Sequence, residues 1–157
     1  MSIVTFCGHS DFYGDEAVLR WLRKTVEDLI LRGADEFLLG GYGGFDASAA
    51  FVVWELKKKY PSIRVTLVLA YLDQTVDASK YDGTLYPPLE RVPRRYAIVK
   101  RNEYMVRVAD IIVACVTHEW GGAARTLDYA RRKRKVIINY AVSDCLGLTA
   151  HKSGTAL

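Results

Sequence analysis

Apolar runs alternate with helix-like periods along this chain. The apolar runs are short and typical of strands buried on both faces, whereas the segments between them repeat apolar residues at helical spacing. The predicted strands cover residues 2–7, 36–39, 64–70, 111–116 and 136–140. The predicted helices cover residues 14–32, 46–60, 96–108 and 123–133. This alternation predicts an α/β fold, a parallel sheet of about five strands with helices on both faces.

Two segments fall outside this pattern. Residues 71–95 carry three prolines and no clear period. Loops of this length are often lids, and the tyrosines of this one would either stack on a ligand or pack the loop onto the body; a subunit contact is a third option. Residues 143–157 are polar and are expected to be loosely held. We therefore expect one domain over residues 1–142, followed by a C-terminal tail over residues 143–157.

Composition and charge are those of a globular protein with a mildly basic balance. Half of the residues are hydrophobic, a quarter are charged, and the net charge is +4. Residues 131–135 form a basic run at a predicted helix end, where cations complement the helix dipole. A nucleic-acid surface needs more such clusters, so no nucleic-acid partner is expected. No apolar run approaches the roughly 20 residues of a membrane span, so no membrane partner is expected either.

The spacing of the cysteines and histidines indicates neither a disulfide framework nor a metal site. The three cysteines are irregularly spaced, which favours reduced thiols and a cytoplasmic location. The three histidines show no metal-ligand spacing. We expect no metal and no cofactor.

Unusual residues follow three of the predicted strands. The carboxyl ends of parallel strands meet at one edge of the sheet, and ligands bind there. Glycine lets backbone N–H groups approach a ligand, and a following helix N-terminus adds partial positive charge, so these loops are candidates for phosphate binding. The candidate ligand-binding residues of the three loops are Gly8, His9, Ser10, Gly40, Gly41, Gly43, Gly44, Asp46, Thr117, His118, Glu119, Trp120, Gly121, Gly122 and Ala123.

The strongest phosphate candidate is the pair Gly121 and Gly122, because it directly precedes a predicted helix. Thr126, in the first turn of that helix, either donates its hydroxyl to a ligand or caps the local backbone. Asp46 is the predicted N-cap of the second helix. Arg101 and Asn102 lie on the helix before the fourth strand, where they either contact a ligand phosphate or carboxylate, or lie on solvated helix surface.

The order of these motifs resembles the YpsA-like branch of the SLOG superfamily, once catalogued as a domain of unknown function. The motifs that carry the resemblance are Thr5–His9, Leu39–Asp46, Lys100–Glu103, Ala109–Asp110 and Thr117–Ala123. The resemblance covers about residues 2–141. It implies a Rossmann-like, doubly wound fold that binds a nucleotide or a nucleotide-derived ligand, and it makes a homo-oligomer an option because relatives of this fold often dimerise.

The resemblance extends to LOG-type enzymes, which cleave the N-glycosidic bond of nucleoside monophosphates. Their R-K-x-x-M motif falls on Arg101, Asn102 and Met105, with Asn in place of Lys. Their P-G-G-x-G-T-x-x-E motif falls on Gly121, Gly122 and Asp128, which takes the glutamate position; Trp120 stands at the proline position, and Ala124-Arg125 replaces Gly-Thr. The implied catalytic residues are Arg101 and Asp128, although the Asp128 side chain is one methylene shorter than the glutamate of those enzymes.

Three hypotheses follow. The leading one is a sensor or binding module for an ADP-ribose-like, NAD-related or nucleoside monophosphate ligand. The second is a nucleotide N-glycosidase of the phosphoribohydrolase type. The third is a protein-interaction module with a vestigial site.

Overall fold

The computed structural model describes residues 2–140, so the expectations for the tail over residues 143–157 lie outside the described residues. The strands are β1 (Ser2–Gly8), β2 (Ala34–Leu39), β3 (Arg64–Val68), β4 (Gly83–Leu85), β5 (Ile111–Cys115) and β6 (Val136–Asn139). The α-helices are α1 (Glu16–Leu31), α2 (Gly44–Lys59), α3 (Ala97–Val108) and α4 (Gly122–Arg132). Short 3₁₀ helices cover Ala78–Lys80 and Arg94–Tyr96.

All strands join one parallel sheet in the order β4-β3-β2-β1-β5-β6. From β1 the chain adds β2, β3 and β4 outward on one side, and then returns to add β5 and β6 on the other. The strand order therefore reverses between β1 and β5, which is where doubly wound sheets open a crevice for ligands. The predicted Rossmann-like α/β fold is confirmed.

The sheet has six strands where the sequence predicts about five. The additional strand, β4, lies inside the segment 71–95, which the sequence predicts to be a loop. It has only three residues, too few for a hydrophobic period, and it pairs with β3 at the edge of the sheet. The Asp82 carboxylate just before it accepts from the Val65 backbone N–H at 2.7 Å and pairs with the Lys57 ammonium at 3.0 Å.

Alternation along β1 divides the core between the two faces of the sheet. Val4 and Phe6 pack in the cluster that includes the buried residues of α1 and α2. Cys7 packs in the opposite cluster with residues of α3 and α4, among them Val106 and Leu127. Burying a side chain of this size stabilises the fold by roughly 1.5–3 kcal/mol, so both helix pairs are held firmly to the sheet.

The helix boundaries follow local sequence. The Asp15 carboxylate caps α1 by accepting from the backbone N–H groups of Ala17 and Val18. The prediction that Asp46 is the N-cap of α2 is wrong, because the helix begins at Gly44 and its N-cap is Gly43. No helix among residues 2–140 is long and apolar enough to cross a membrane.

Candidate functional site

A cleft of about 510 Å³ opens at the carboxyl ends of β1 and β5, where the strand order reverses. Its volume lies within the range of small-molecule sites. Its walls come from the loop after β1, the start of α4 and the inner face of α3. The predicted site residues that line it are Gly8, His9, Ser10, Asp46, Arg101, Asn102, His118, Trp120, Gly121, Gly122, Ala123 and Thr126.

Other predicted residues lie elsewhere. Thr117, Glu119 and Asp128 line a second cleft of about 490 Å³ between α4 and the ends of β5 and β6. The glycines Gly40, Gly41, Gly43 and Gly44 line neither cleft.

Six residues that line the main cleft were not among the predicted ligand-binding residues, namely Phe6, Cys7, Asp11, Tyr42, Ile98 and Met105, although Met105 is the methionine of the LOG-type motif. Asp11 and Tyr42 lie in the same loops as the predicted residues. Ile98 and Met105 lie at helical spacing from Arg101, so the face of α3 that carries Arg101 identifies them. Helical periodicity was therefore a usable signal for these two positions.

The turn at Gly121 and Gly122 leaves the start of α4 open. Gly121 is the N-cap of α4 with a φ of 92°, and no side chain caps this helix. A Cβ atom added to Gly122 meets nothing within 4 Å, and one added to Gly121 meets only His118 Cε1 at 4.0 Å. The first N–H groups of a helix lack intrahelical partners and carry partial positive charge, and here they belong to a turn that lines the cleft.

The turn that leads into α2 is filled by protein. Gly43, with a φ of 89°, is the N-cap of α2, and the Gly44 N–H donates to the Ser10 carbonyl at 2.8 Å. A Cβ on Gly43 lies 2.7 Å from Ser10 Cα, and a Cβ on Gly44 lies 1.9 Å from the Phe12 carbonyl oxygen. The glycines here make room for the loop after β1.

Two further predicted glycines are also required by packing. A Cβ on Gly8 lies 2.2 Å from the ring of Phe45. A Cβ on Gly40 lies 2.7 Å from Arg101 Cζ. Neither position has space for a side chain, whatever binds in the cleft.

Arg101 is 2% exposed and lies under the four-glycine loop, so it is not on solvated helix surface. Its Nη1 donates to the backbone carbonyls of Gly40 and Val68, and its Nε donates to Asn102 Oδ1 at 2.9 Å. Burial lowers the pKa of its guanidinium and the Asp46 carboxylate opposes that shift. Arg101 thus joins the carboxyl ends of β2 and β3 while lining the cleft.

Asp46 organises the same loop from the other side. Its carboxylate accepts from the backbone N–H groups of Gly40 at 2.9 Å and Tyr42 at 3.2 Å. Burial raises the pKa of this carboxyl, against the influence of Arg101 and of the backbone donors. Asp46 is therefore a loop-organising residue at the edge of the cleft.

Three aromatic rings stack across the switch point. The His9 and His118 rings lie 3.8 Å apart at 16°, and the His118 and Trp120 rings lie 3.9 Å apart at 19°. The Thr117 backbone N–H donates to His9 Nε2 at 3.0 Å. Burial, and to a smaller degree His118, lowers the pKa of His9 below its ordinary value. The stack and this hydrogen bond join the loop after β1 to the loop after β5.

The Cys7 thiol lies beneath the first turn of α4. It donates to the Ala123 carbonyl at 3.2 Å, and burial raises its pKa to about 12. A thiol with this pKa stays protonated, so Cys7 is not a nucleophile. Among residues 2–140, no three His, Cys, Asp or Glu side chains are arranged to hold a metal ion.

The two residues that the LOG resemblance implies as catalytic line different clefts. Arg101 lines the main cleft, whereas Asp128 lines the second one and pairs with Arg131 at 2.8 Å. The Thr126 hydroxyl donates to the Gly122 carbonyl at 2.9 Å, a local backbone contact.

Sequence comparison identifies one family. The family model YpsA, described as the YspA SLOG family, matches residues 14–143. A UPF0398 protein of Bacillus thuringiensis (strain Al Hakam) is 24% identical over 144 residues, which cover 83% of this chain and 78% of that protein. A UPF0398 protein of Bacillus cereus (strain Q1) matches with the same identity and coverage.

Solved structures share the fold. DNA processing protein A of Helicobacter pylori, which binds single-stranded DNA, matches with a TM-score of 0.60 and 14% identity; the match covers 88% of this chain but only 64% of that one. The molybdenum cofactor binding protein of Rippkaea orientalis matches with a TM-score of 0.58 and 16% identity, covering 99% of this chain and 86% of that one. Identities this low establish a common fold and leave the ligand to the site itself.

Proposed function

The chain belongs to the YspA SLOG family, and we propose that it binds a nucleotide or a nucleotide-derived ligand in the cleft at the strand switch point. The observation that carries the proposal is the open turn at Gly121 and Gly122, where a Cβ on Gly122 would meet no atom of another part of the described chain within 4 Å. A glycine that packing does not require, at an uncapped helix start inside a cleft, is suited to a ligand phosphate.

The ligands that fit this proposal are nucleoside monophosphates, ADP-ribose-like compounds and NAD-related compounds. The cleft of about 510 Å³ suits a small molecule better than a polymer. The basic run at residues 131–135, which the sequence analysis considered for nucleic-acid binding, lies at the end of α4 that is opposite the cleft. It is roughly 15 Å from the glycine turn. We place the whole site within a single domain over residues 1–142.

Binding without turnover is the better-supported form of this function. Hydrolysis of an N-glycosidic bond requires a carboxylate at the reaction centre. Asp128, the implied carboxylate, lines the second cleft and is engaged by Arg131. A sensor or binding module therefore fits the geometry better than a nucleotide N-glycosidase that uses Asp128; of the carboxylates that line the main cleft, those of Asp11 and Asp46, the second is bonded to loop N–H groups.

A thermal-shift experiment tests the proposal with AMP, ADP-ribose and NAD at millimolar concentration. A ligand at about 100 times its Kd adds roughly 2.7 kcal/mol to the stability of the folded state. For a chain of this length, that corresponds to a rise in Tm of about 5–10 °C. We expect such a rise with at least one of the three compounds.

The matched variants are Gly122→Asp and Gly14→Asp. Both add one negative charge, and both positions have room for a side chain, since a Cβ on Gly14 meets only Leu19 Cδ1 at 3.6 Å and Ser48 Oγ at 3.9 Å. Gly122→Asp is expected to abolish the ligand-induced shift because its carboxylate repels a phosphate, whereas Gly14→Asp is expected to retain it. If no compound stabilises the wild type, or if both variants respond like the wild type, the proposal is wrong.

A further inference from the structure

The stacked rings of His9, His118 and Trp120 end at an open ring face. His9 is the innermost ring and Trp120 the outermost, and the Trp120 side chain is 71% exposed while lining the main cleft. His118 is its only ring neighbour among residues 2–140. The outer face of this ring exposes hydrophobic surface at the wall of the cleft, where the flat ring of a ligand can stack on it.

The orientation of the Trp120 ring is fixed by the two histidine rings on which it stacks. Its ring lies on His118 at 3.9 Å, and His118 lies on His9 at 3.8 Å. His9 is anchored in turn by the Thr117 N–H, 3.0 Å from Nε2. The stack is therefore a repeating series of near-parallel rings, and the next position in the series lies over the free face of Trp120.

We propose that Trp120 is the stacking platform for the flat heterocycle of the bound ligand, which becomes the fourth ring of the series. This inference rests on the proposed function, because it takes the Gly121 and Gly122 turn as the phosphate site. Trp120 and Gly122 are two residues apart, which limits the distance between their Cα atoms to about 7 Å. A flat ring on Trp120 and a phosphate on the turn therefore occupy neighbouring positions of one loop, and a nucleoside phosphate carries both groups.

Ring area favours purines over pyrimidines on this platform. Stacking on Trp120 grows with the overlapping area, which is larger for a purine than for a pyrimidine. Asp11 and Ser10, which also line the cleft, supply acceptors for sugar hydroxyls.

The test uses calorimetric titration of the full chain with AMP, UMP and ribose 5-phosphate. We expect AMP to bind more tightly than UMP, and ribose 5-phosphate to bind most weakly. Trp120→Ala is expected to weaken AMP binding about 10-fold or more, as the loss of one base stack does elsewhere, and to leave ribose 5-phosphate within about twofold. Because Trp120 is exposed, this substitution does not disturb the core.

Fluorescence gives a second readout through Trp120→Phe, which keeps an aromatic ring. The chain has three tryptophans, and Trp21 and Trp54 remain in this variant. We expect AMP to quench the wild-type emission, and we expect Trp120→Phe to bind AMP within about threefold of the wild type while losing that quenching.

Different results separate this inference from the proposed function. Equal wild-type affinity for AMP and ribose 5-phosphate, or unchanged AMP affinity in Trp120→Ala, overturns the stacking role and leaves the phosphate site standing. A wild type that binds no AMP overturns the inference that a base on Trp120 together with one phosphate on the turn suffices for binding. The proposed function fails as well only if ADP-ribose and NAD also give no thermal shift.

Discussion

Two glycine-rich turns lead from strands into helices in this protein, one between β2 and α2 and one between β5 and α4. Both place a glycine with positive φ at the N-cap, Gly43 in the first and Gly121 in the second, and neither helix has a side-chain cap. In the first turn, the space beside the glycines is occupied by the loop after β1 and by Arg101. In the second turn, the space beside Gly122 is empty.

The comparison teaches that a missing side chain can serve either the protein or its ligand. Where a Cβ would collide with backbone, glycine is needed for folding, and its presence gives no information about binding. Where a Cβ would meet nothing and φ is not positive, as at Gly122, folding does not require glycine, and close approach of a ligand explains it better. The less conspicuous of the two turns is therefore the better candidate site.

The largest expected effect is the loss of fold stability caused by a substitution at Gly44. Gly44→Ala places a methyl group 1.9 Å from the Phe12 carbonyl oxygen, and we expect it to destabilise the fold. The loss should be about 3 kcal/mol or more, at the upper end of overpacking effects. Gly122→Ala should change stability by no more than about 0.5 kcal/mol. Urea unfolding of the two variants measures the contrast, and equal stabilities would show that the two turns do not differ as described.

A smaller effect is expected at Arg101, which supports the first turn from beneath. Arg101→Lys keeps the charge but cannot donate to both carbonyls, those of Gly40 and Val68, in the same geometry. We expect a loss of about 1–3 kcal/mol, the cost of leaving a buried acceptor unsatisfied. The control is Lys100→Arg on the exposed side of the same helix. If Arg101→Lys is as stable as the wild type in urea, then Arg101 does not stabilise this turn.

The smallest expected effect is a pH dependence at His9, which contacts both turns. Its carbonyl accepts from the Phe45 N–H of α2, and its Nε2 accepts from the Thr117 N–H. Because the folded-state pKa is lower than the unfolded value, the unfolded chain binds more protons between the two pKa values. Stability therefore falls as the pH is lowered through that window.

An NMR titration of the His9 ring is expected to give a pKa below 6.5. Urea midpoints at pH 7 and in the window below it should differ more for the wild type than for His9→Gln, which has no ionisable ring. A ring that titrates above its ordinary pKa would contradict the described environment of His9.

Much of the fold could be predicted from the sequence because its signals are local. The apolar runs in β1, β2, β3, β5 and β6 and the period of the helices are read over a few residues. The strand β4 could not be predicted in this way, because its three residues form a strand only through pairing with β3. The Asp46 prediction failed for a related reason, since its carboxylate satisfies the N–H groups of Gly40 and Tyr42 within the preceding loop.

The site could be predicted only in part. The alternation of strands and helices indicates that the loops after β1 and β5 share an edge of the sheet. The sequence cannot show that Phe12, Phe45 and Arg101 fill the space beside the glycines, because those contacts arise from packing between distant segments. Nor does it show that Trp120 stacks on His118 with its other face exposed.

The hydrogen bond from the Cys7 thiol to the Ala123 carbonyl has a consequence for the energetics of association. It fixes the first turn of α4 against the end of β1 in the free protein. A ligand that reaches this turn then meets donors already in place, and little conformational entropy is lost on binding. We therefore expect association in a single step, without a slow rearrangement before it.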